Sequence, residues 1–105
     1  MDPLSAFTRG GEVHIVDVRE AFEWKAGHIE DAQHIPMREI PLRLDDFPDD
    51  RLLVAVCRSG SRSGEVTRFL SDKGFDVENL NGGMKAWMRA GLPVVRADGG
   101  PGKVV

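Results

Sequence analysis

The sequence has little cysteine, no excess of positive charge and no long apolar run, and each of these absences excludes a class of protein. Its 105 residues include one cysteine, so no disulfide can form within the chain. Nothing therefore indicates a small secreted fold held together by disulfides. The formal net charge of −3 gives no reason to expect nucleic acid as a main partner. No apolar run approaches the roughly 20 residues of a membrane-spanning helix, so no membrane partner is expected.

The length of the chain suits one domain and is too short for two. The apolar fraction of 41% and the charged fraction of 30% are those of an ordinary globular protein. The first residues lack the basic and apolar regions of a signal peptide, so we expect a cytoplasmic protein. We predict one domain over residues 1–96 and a flexible C-terminal tail over residues 97–105, which are rich in glycine.

The only cysteine stands in the most distinctive stretch of the chain. Leu52–Val56 is a continuous apolar run, typical of a strand buried on both faces of a parallel sheet. After Cys57 comes a loop of glycine, serine and arginine, and from Ser63 onward the apolar residues have helical spacing up to Gly74, which is typical of a helix end. Cys57 is thus predicted at the carboxyl end of a strand, where open α/β sheets bind ligands.

This position is expected to make the thiol reactive. A helix N-terminus carries unpaired N–H groups and partial positive charge, to which Arg58 and Arg62 add two full charges. We therefore predict that the pKa of Cys57 is lowered into the range of roughly 3.5–7.5, and that its thiolate is a nucleophile. A lone cysteine is more often a buried structural residue, but this loop has no use in core packing. The same loop is predicted to bind a small anionic substrate through Arg58, Ser59, Gly60, Ser61, Arg62 and Ser63.

The rest of the chain alternates between predicted strands and helices. Strands are expected at residues 13–18, 32–35 and 77–80, and helices from Asp2-Pro3, over residues 20–25 and up to Gly91. In the first helix Leu4 and Phe7 should face the core, and in the second Phe22 or Trp24 should pack inward. This alternation predicts a parallel α/β sheet with helices on both faces.

Other polar residues are interpreted as structural. Asp17 and Arg19 follow a predicted strand, and we favour a salt bridge that supports the neighbouring loops over a direct role in binding or proton transfer. His28 is expected to bond to the backbone rather than to act as a base. His14 and His34 have no partners at ligand spacing, so neither a metal site nor a cofactor is expected.

Three segments together resemble the rhodanese sulfurtransferases. Cys57-Arg58-Ser59-Gly60-Ser61-Arg62 looks like their active-site loop, in the Cys-Arg-x-Gly-x-Arg form associated with thiosulfate. Residues 17–36, which contain Asp17-Val18-Arg19 and Gly27-His28-Ile29, and residues 80–93, which contain Asn81-Gly82-Gly83, resemble the family's two other signatures. The resemblance implies a three-layer α/β/α domain with a four- or five-stranded, mostly parallel sheet. The edge strand that usually precedes the first helix is missing or very short here.

The same resemblance implies a thiosulfate sulfurtransferase that works through a persulfide on Cys57. The acceptor would be cyanide or a cellular thiol such as thioredoxin, glutathione or a sulfur-relay protein. Two alternatives stay open. Cysteine phosphatases and arsenate reductases also surround an anion with a cysteine and an arginine, but their loop resembles Cys-x5-Arg, whereas Cys57 and Arg62 form Cys-x4-Arg. A persulfide carrier in a sulfur relay, or an interaction module of rhodanese type, is not distinguished from a free-standing enzyme by the sequence.

Overall fold

A sheet of four parallel strands forms the middle layer of the protein. The structure, a computed structural model, describes all 105 residues. In chain order the elements are α1 (Pro3–Arg9), β1 (Val13–Asp17), α2 (Ala21–Ala26), β2 (Gln33–His34), β3 (Leu52–Val56), α3 (Ser61–Asp72), β4 (Val77–Asn79) and α4 (Gly83–Arg89). Short 3₁₀ helices cover Gly10–Glu12, Met37–Leu42 and Leu44–Asp46. The strand order is β2-β1-β3-β4, and every neighbouring pair is parallel.

Strand β3 has no solvent-facing side, which explains its unbroken apolar sequence. Successive side chains of a strand point to opposite faces of the sheet. Leu53 and Ala55 belong to a core shared with α3 and the 3₁₀ helices, whereas Val54 and Val56 belong to a second core shared with α1 and α4. The predicted three-layer α/β/α architecture is confirmed. None of its helices has the length and apolar character needed to cross a membrane.

The first helix begins as predicted but packs differently. The side chain of Asp2 accepts a hydrogen bond from Ser5 N at 2.7 Å, and the proline stands in the first turn. However, Leu4 is 62% exposed and Phe7 is 48% exposed, so the prediction that both face the core is wrong. The buried residue is Ala6, whose small side chain suits close packing of α1 on α4, and the half-exposed ring of Phe7 makes a T-shaped contact with Trp87, with ring centroids 5.9 Å apart.

The outer edge of β4 has no fifth strand. In its place Met1 makes two backbone hydrogen bonds with this edge: its amino group donates to Asn79 O at 2.8 Å, and Asn81 N donates to Met1 O at 2.9 Å. The sheet thus has four strands, the lower of the two numbers expected. Met1 alone pairs with the edge of β4, where a fifth strand would lie.

The segment after α4 runs back across the end of α2. Val95 and His28 exchange two backbone hydrogen bonds of 2.9 Å, and Lys103 N donates to Ala26 O at 3.0 Å. Gly27 lies so close to this segment that a Cβ there would be 2.3 Å from Lys103 O, so no larger residue fits. The domain boundary after residue 96 and the flexibility of residues 97–105 stay predictions.

A fully buried ion pair lies at the end of β1 and is linked to the end of α2 by a hydrogen bond. Asp17 and Arg19 are both 0% exposed, and Arg19 Nη2 donates to Asp17 Oδ2 at 2.7 Å. The same nitrogen donates to Gly27 O, also at 2.7 Å. The salt bridge favoured from the sequence is therefore present, and it fixes the chain on both sides of α2.

Asp17→Asn should lower the free energy of unfolding by about 3–5 kcal/mol, because it leaves the charge of Arg19 buried without a counter-ion. Urea denaturation measures this loss. Glu20→Gln is the matched control, since the ion pair between Glu20 and Arg38 is exposed to solvent and such pairs add little to stability. Equal losses in the two variants would contradict the prediction.

Candidate active site

The loop between β3 and α3 folds back over the sulfur of Cys57. Gly60, the residue before α3, has φ +111°, a left-handed conformation that side-chain-bearing residues rarely adopt. This turn brings its amide to the thiol, and Gly60 N donates to Cys57 Sγ at 3.1 Å. The base of the loop is held from the other side, because Met84 N and Lys85 N in the first turn of α4 donate to Cys57 O and Arg58 O at 2.8 and 3.0 Å.

A second donor reaches the sulfur from the first turn of α3. Ser63 is 0% exposed, and its hydroxyl lies 3.2 Å from Cys57 Sγ. The same hydroxyl lies 2.6 Å from Asn79 Oδ1, and Asn79 Nδ2 donates to Gly60 O at 3.0 Å. The sequence analysis overlooked Asn79. The signal was its position, since it is a polar residue at the carboxyl end of a strand that the fold places beside β3.

The pKa of Cys57 lies below its ordinary value, as predicted, although only one of the two expected causes is a main one. Burial is the largest influence and raises the pKa, because it disfavours the charged thiolate. The Ser63 hydroxyl and the backbone N–H groups of Ser63, Gly60 and Ser59 outweigh it and lower the pKa. The N–H groups expected at the helix N-terminus thus contribute to the shift, together with the Ser63 hydroxyl, whereas Arg58 and Arg62 are not among its main causes.

The two loop arginines have different surroundings. Arg62 donates from Nη1 and Nη2 to the two carboxylate oxygens of Glu23, at 2.8 and 2.9 Å. Arg62 lowers the pKa of Glu23, while the pKa of Arg62 is raised first by Glu23 and also by the nearby charges of Cys57 and Asp17. Arg62 is therefore fixed to α2 yet close enough to act on Cys57 electrostatically. Glu23 is 4% exposed, and the sequence analysis missed this role for it.

Arg58 stands on the rim of the loop with the exposed residues Ser59 and Ser61. Its guanidinium makes one hydrogen bond, from Nε to Val105 O at 2.9 Å. Of the six loop residues predicted to bind substrate, these three and Gly60 form the outer part of the loop. Ser63 lies beneath it against the sulfur, and the terminal guanidinium nitrogens of Arg62 are both bound to Glu23.

The two histidines near α2 contact the backbone and an indole ring. His28 Nδ1 lies 2.8 Å from Trp24 O, and its ring stacks on Trp24 with centroids 3.6 Å apart. His34 Nε2 lies 2.8 Å from Arg19 O and stacks on Trp24 at 4.9 Å. Trp24 is therefore the aromatic residue of α2 that packs inward, while Phe22 is 68% exposed. The backbone hydrogen bond expected for His28 is present.

One cavity of the protein lies away from Cys57. It has a volume of about 500 Å³ and lies at the amino ends of β1 and β3, where Phe7, Val13 and Trp87 line it. Cys57 is at the opposite edge of the sheet and is only 1% exposed. The arrangement around the sulfur thus suits a reaction with a small terminal atom rather than binding of a large ligand.

Fold and loop together define a family. The sequence matches the rhodanese-like domain over residues 2–90, and the chain belongs to the rhodanese-like family. A sulfurtransferase from Allochromatium vinosum is 44% identical, over 84% of this chain and 83% of the relative. A thiosulfate sulfurtransferase from Shewanella oneidensis is 33% identical, over 86% and 90%. The crystal structure of a rhodanese-related protein from Thermoplasma volcanium matches with a TM-score of 0.87 at 28% identity, over 90% and 95%.

Ser63→Ala should raise the pKa of Cys57 by about one unit, because it removes a hydrogen bond to the charged sulfur. The ultraviolet absorbance of the thiolate, followed against pH, reports this pKa, and its midpoint should move to higher pH. Ser71→Ala makes the same change at the exposed end of α3 and should leave the midpoint where it is. An unchanged midpoint in Ser63→Ala would show that the hydroxyl does not stabilise the thiolate.

Proposed function

We propose that this protein is a sulfurtransferase that carries sulfur as a persulfide on Cys57. The observation that supports this most strongly is the pair of donors aimed at one sulfur: Gly60 N at 3.1 Å and the Ser63 hydroxyl at 3.2 Å from Sγ. They lower the pKa of Cys57 despite its burial, which favours the thiolate, the nucleophilic form of the side chain. The sulfurtransferases among its relatives support the same reaction class.

The proposed donor is thiosulfate, and the reaction has two steps. The Cys57 thiolate attacks the outer sulfur, the sulfur–sulfur bond of thiosulfate breaks, and sulfite leaves with the electron pair. An acceptor, either cyanide or a cellular thiol in its thiolate form, then attacks the outer sulfur of the persulfide. Cys57 leaves again as a thiolate with the electron pair. Because charge balances in each step, no acid is needed to protonate a leaving group.

The loop would serve both steps with fixed donors. The N–H groups that fold over the sulfur, among them those of Ser59 and Gly60, would hold the persulfide anion without reorganisation. Arg58 is exposed on the rim and can turn its guanidinium towards the sulfonate of thiosulfate. Arg62 would act through its positive charge and not by a hydrogen bond to the sulfur donor, because Glu23 binds both of its terminal nitrogens.

The choice of thiosulfate rests on the loop form and on one relative. The loop has the Cys-Arg-x-Gly-x-Arg form, and the relative from Shewanella oneidensis carries thiosulfate in its name. Thioredoxin, glutathione or a sulfur-relay protein are the proposed thiol acceptors. A carrier that passes the persulfide sulfur to a partner protein would use the same first step. A reducing cytoplasm would keep the single thiol free for it.

Two observations weigh against a cysteine phosphatase or arsenate reductase. Such an enzyme needs its loop arginine free to bind the oxygens of a tetrahedral anion, and Arg62 is held on both terminal nitrogens by Glu23. The sulfur is also nearly covered, with Cys57 only 1% exposed. A terminal sulfur atom is a smaller reacting group than a phosphorus atom surrounded by four oxygens.

Incubation with thiosulfate should increase the intact mass of the protein by one sulfur atom. The gain should disappear on reduction and should be absent in Cys57→Ser, which keeps a hydroxyl of similar size in the same place. A folded protein that gains no sulfur while Cys57 stays free would overturn the proposal, and hydrolysis of an aryl phosphate would then favour the phosphatase alternative.

Arg58→Ala should lower kcat/KM for thiosulfate by about tenfold or more, mainly through KM, because a charged hydrogen bond to the donor is lost. Steady-state transfer to cyanide measures this. Arg89→Ala removes the same charge from the exposed end of α4 and should change neither constant. Equal constants in Arg58→Ala and the wild type would exclude Arg58 from donor binding.

A further inference from the structure

The hydroxyl group of Ser63 faces two acceptors with one hydrogen. Its oxygen is 2.6 Å from Asn79 Oδ1 and 3.2 Å from Cys57 Sγ. A serine hydroxyl can donate to only one of them at a time in a linear hydrogen bond. Ser63 is completely buried, so water does not supply an alternative partner from bulk solvent.

The hydrogen bond between Asn79 and Gly60 O determines which atom of the Asn79 amide faces Ser63. Asn79 Nδ2 donates to Gly60 O at 3.0 Å, which requires the NH₂ side of the amide to point at the loop. Oδ1 therefore points at the serine, and this oxygen can only accept. The backbone of Asn79 is held in turn by the pairing of β4 with Ala55 of β3.

The hydrogen of Ser63 consequently has a different best position in each charge state of the sulfur. When Cys57 is neutral, its sulfur is a weak acceptor, and the short contact with Asn79 Oδ1 is favoured. When Cys57 is a thiolate, a charge-assisted hydrogen bond to Sγ is the stronger one. When Cys57 ionises, the Ser63 hydroxyl therefore has to give up its hydrogen bond to Asn79 Oδ1.

We propose that Asn79 is a positioning residue that competes with Cys57 for the hydroxyl hydrogen of Ser63. It holds this hydrogen while the sulfur is neutral and yields it when the sulfur becomes charged. The free energy of the Ser63–Asn79 hydrogen bond thus opposes formation of the thiolate. No proton is transferred; the hydroxyl only rotates.

The role of this rotation in turnover rests on the proposed function. Sγ is charged before it attacks the donor, neutral as the inner sulfur of the persulfide, and charged again when the acceptor removes the outer sulfur. The hydroxyl of Ser63 would return to Asn79 in the persulfide and turn back to Sγ as the sulfur leaves. Asn79 would therefore keep the free thiolate from being stabilised too strongly to react.

Asn79 also supports the loop, and this second contribution has to be separated from the first. Removing its side chain loses the hydrogen bond to Gly60 O and can disturb the donation of Gly60 N to the sulfur. That effect does not depend on the Ser63 hydroxyl. The charged groups around the sulfur are Arg58 and Arg62 of the loop and α3, Asp17 of β1 and Glu23 of α2, and all of them stay unchanged in the experiment below.

A double-mutant cycle on the pKa of Cys57 makes this separation. Asn79→Leu is introduced into the wild type and into Ser63→Ala, and the thiolate absorbance is followed against pH in all four proteins. The effect of losing the hydrogen bond between Asn79 and Gly60 O appears both in the wild type and in Ser63→Ala. The competition exists only where Ser63 is present. The change in the pKa of Cys57 caused by Asn79→Leu should therefore be more negative in the wild type than in Ser63→Ala, by about half a unit to one unit. Equal shifts, or a difference of the opposite sign, would overturn the proposal.

Asn79→Ala removes the same polar atoms without adding branched bulk, and it replaces Asn79→Leu in the cycle if that variant does not fold. Far-ultraviolet circular dichroism checks the fold of each protein. The measurement uses no sulfur donor, so it stands even if persulfide formation is not observed. Conversely, a normal mass gain with thiosulfate and a zero coupling would refute the role of Asn79 and leave the sulfurtransferase proposal intact.

Discussion

A negative charge on a buried sulfur has to be compensated within the protein, and the structure around Cys57 serves that requirement. Cys57 directly follows a strand that both cores cover, and its burial opposes ionisation. The left-handed turn at Gly60 and the first turn of α3 supply the hydrogen bonds that reverse this effect. The parallel sheet places the end of β3 between its neighbours, and α4 holds the base of the loop through backbone hydrogen bonds. The fold therefore places several hydrogen-bond donors around one atom.

Charges farther from the sulfur are arranged in pairs that also connect elements. Asp17 and Arg19 join β1 to the end of α2, and Glu23 of α2 binds Arg62 of α3. The end of the short helix α2 is thereby held by the hydrogen bond from Arg19 to Gly27 O, and an ion pair ties the same helix to α3 beside the active-site loop. Buried ions are costly to leave unpaired, so the loop cannot move away from α2 without exposing or separating a charge pair. This connection gives Arg62 a fixed place near Cys57 while leaving Arg58 free on the rim.

The sequence predicted the features that local residue patterns determine, and it missed those that depend on contacts between distant parts of the chain. The apolar run of β3, the position of Cys57 after it and the α/β/α layers followed from periodicity and turn residues. Leu4 was misplaced because Ala6 makes the close contact of α1 with α4, and a seven-residue helix shows too little periodicity to reveal it. Glu23 and Asn79 were missed because their partners lie 39 and 16 residues away in the chain, and only the assembled sheet brings them together.

The path of residues 94–105 has a consequence for anything joined to them. After crossing Gly27, where the two backbones are too close for a side chain, the segment brings Val105 O to within 2.9 Å of Arg58 Nε. A peptide or domain tethered at this point would start beside the mouth of the loop rather than on a remote surface. A short flexible tether gives its cargo a local concentration on the order of millimolar. Fusion at residue 105 would thus turn a weak encounter with Cys57 into an intramolecular one, a useful route for trapping an acceptor on the persulfide.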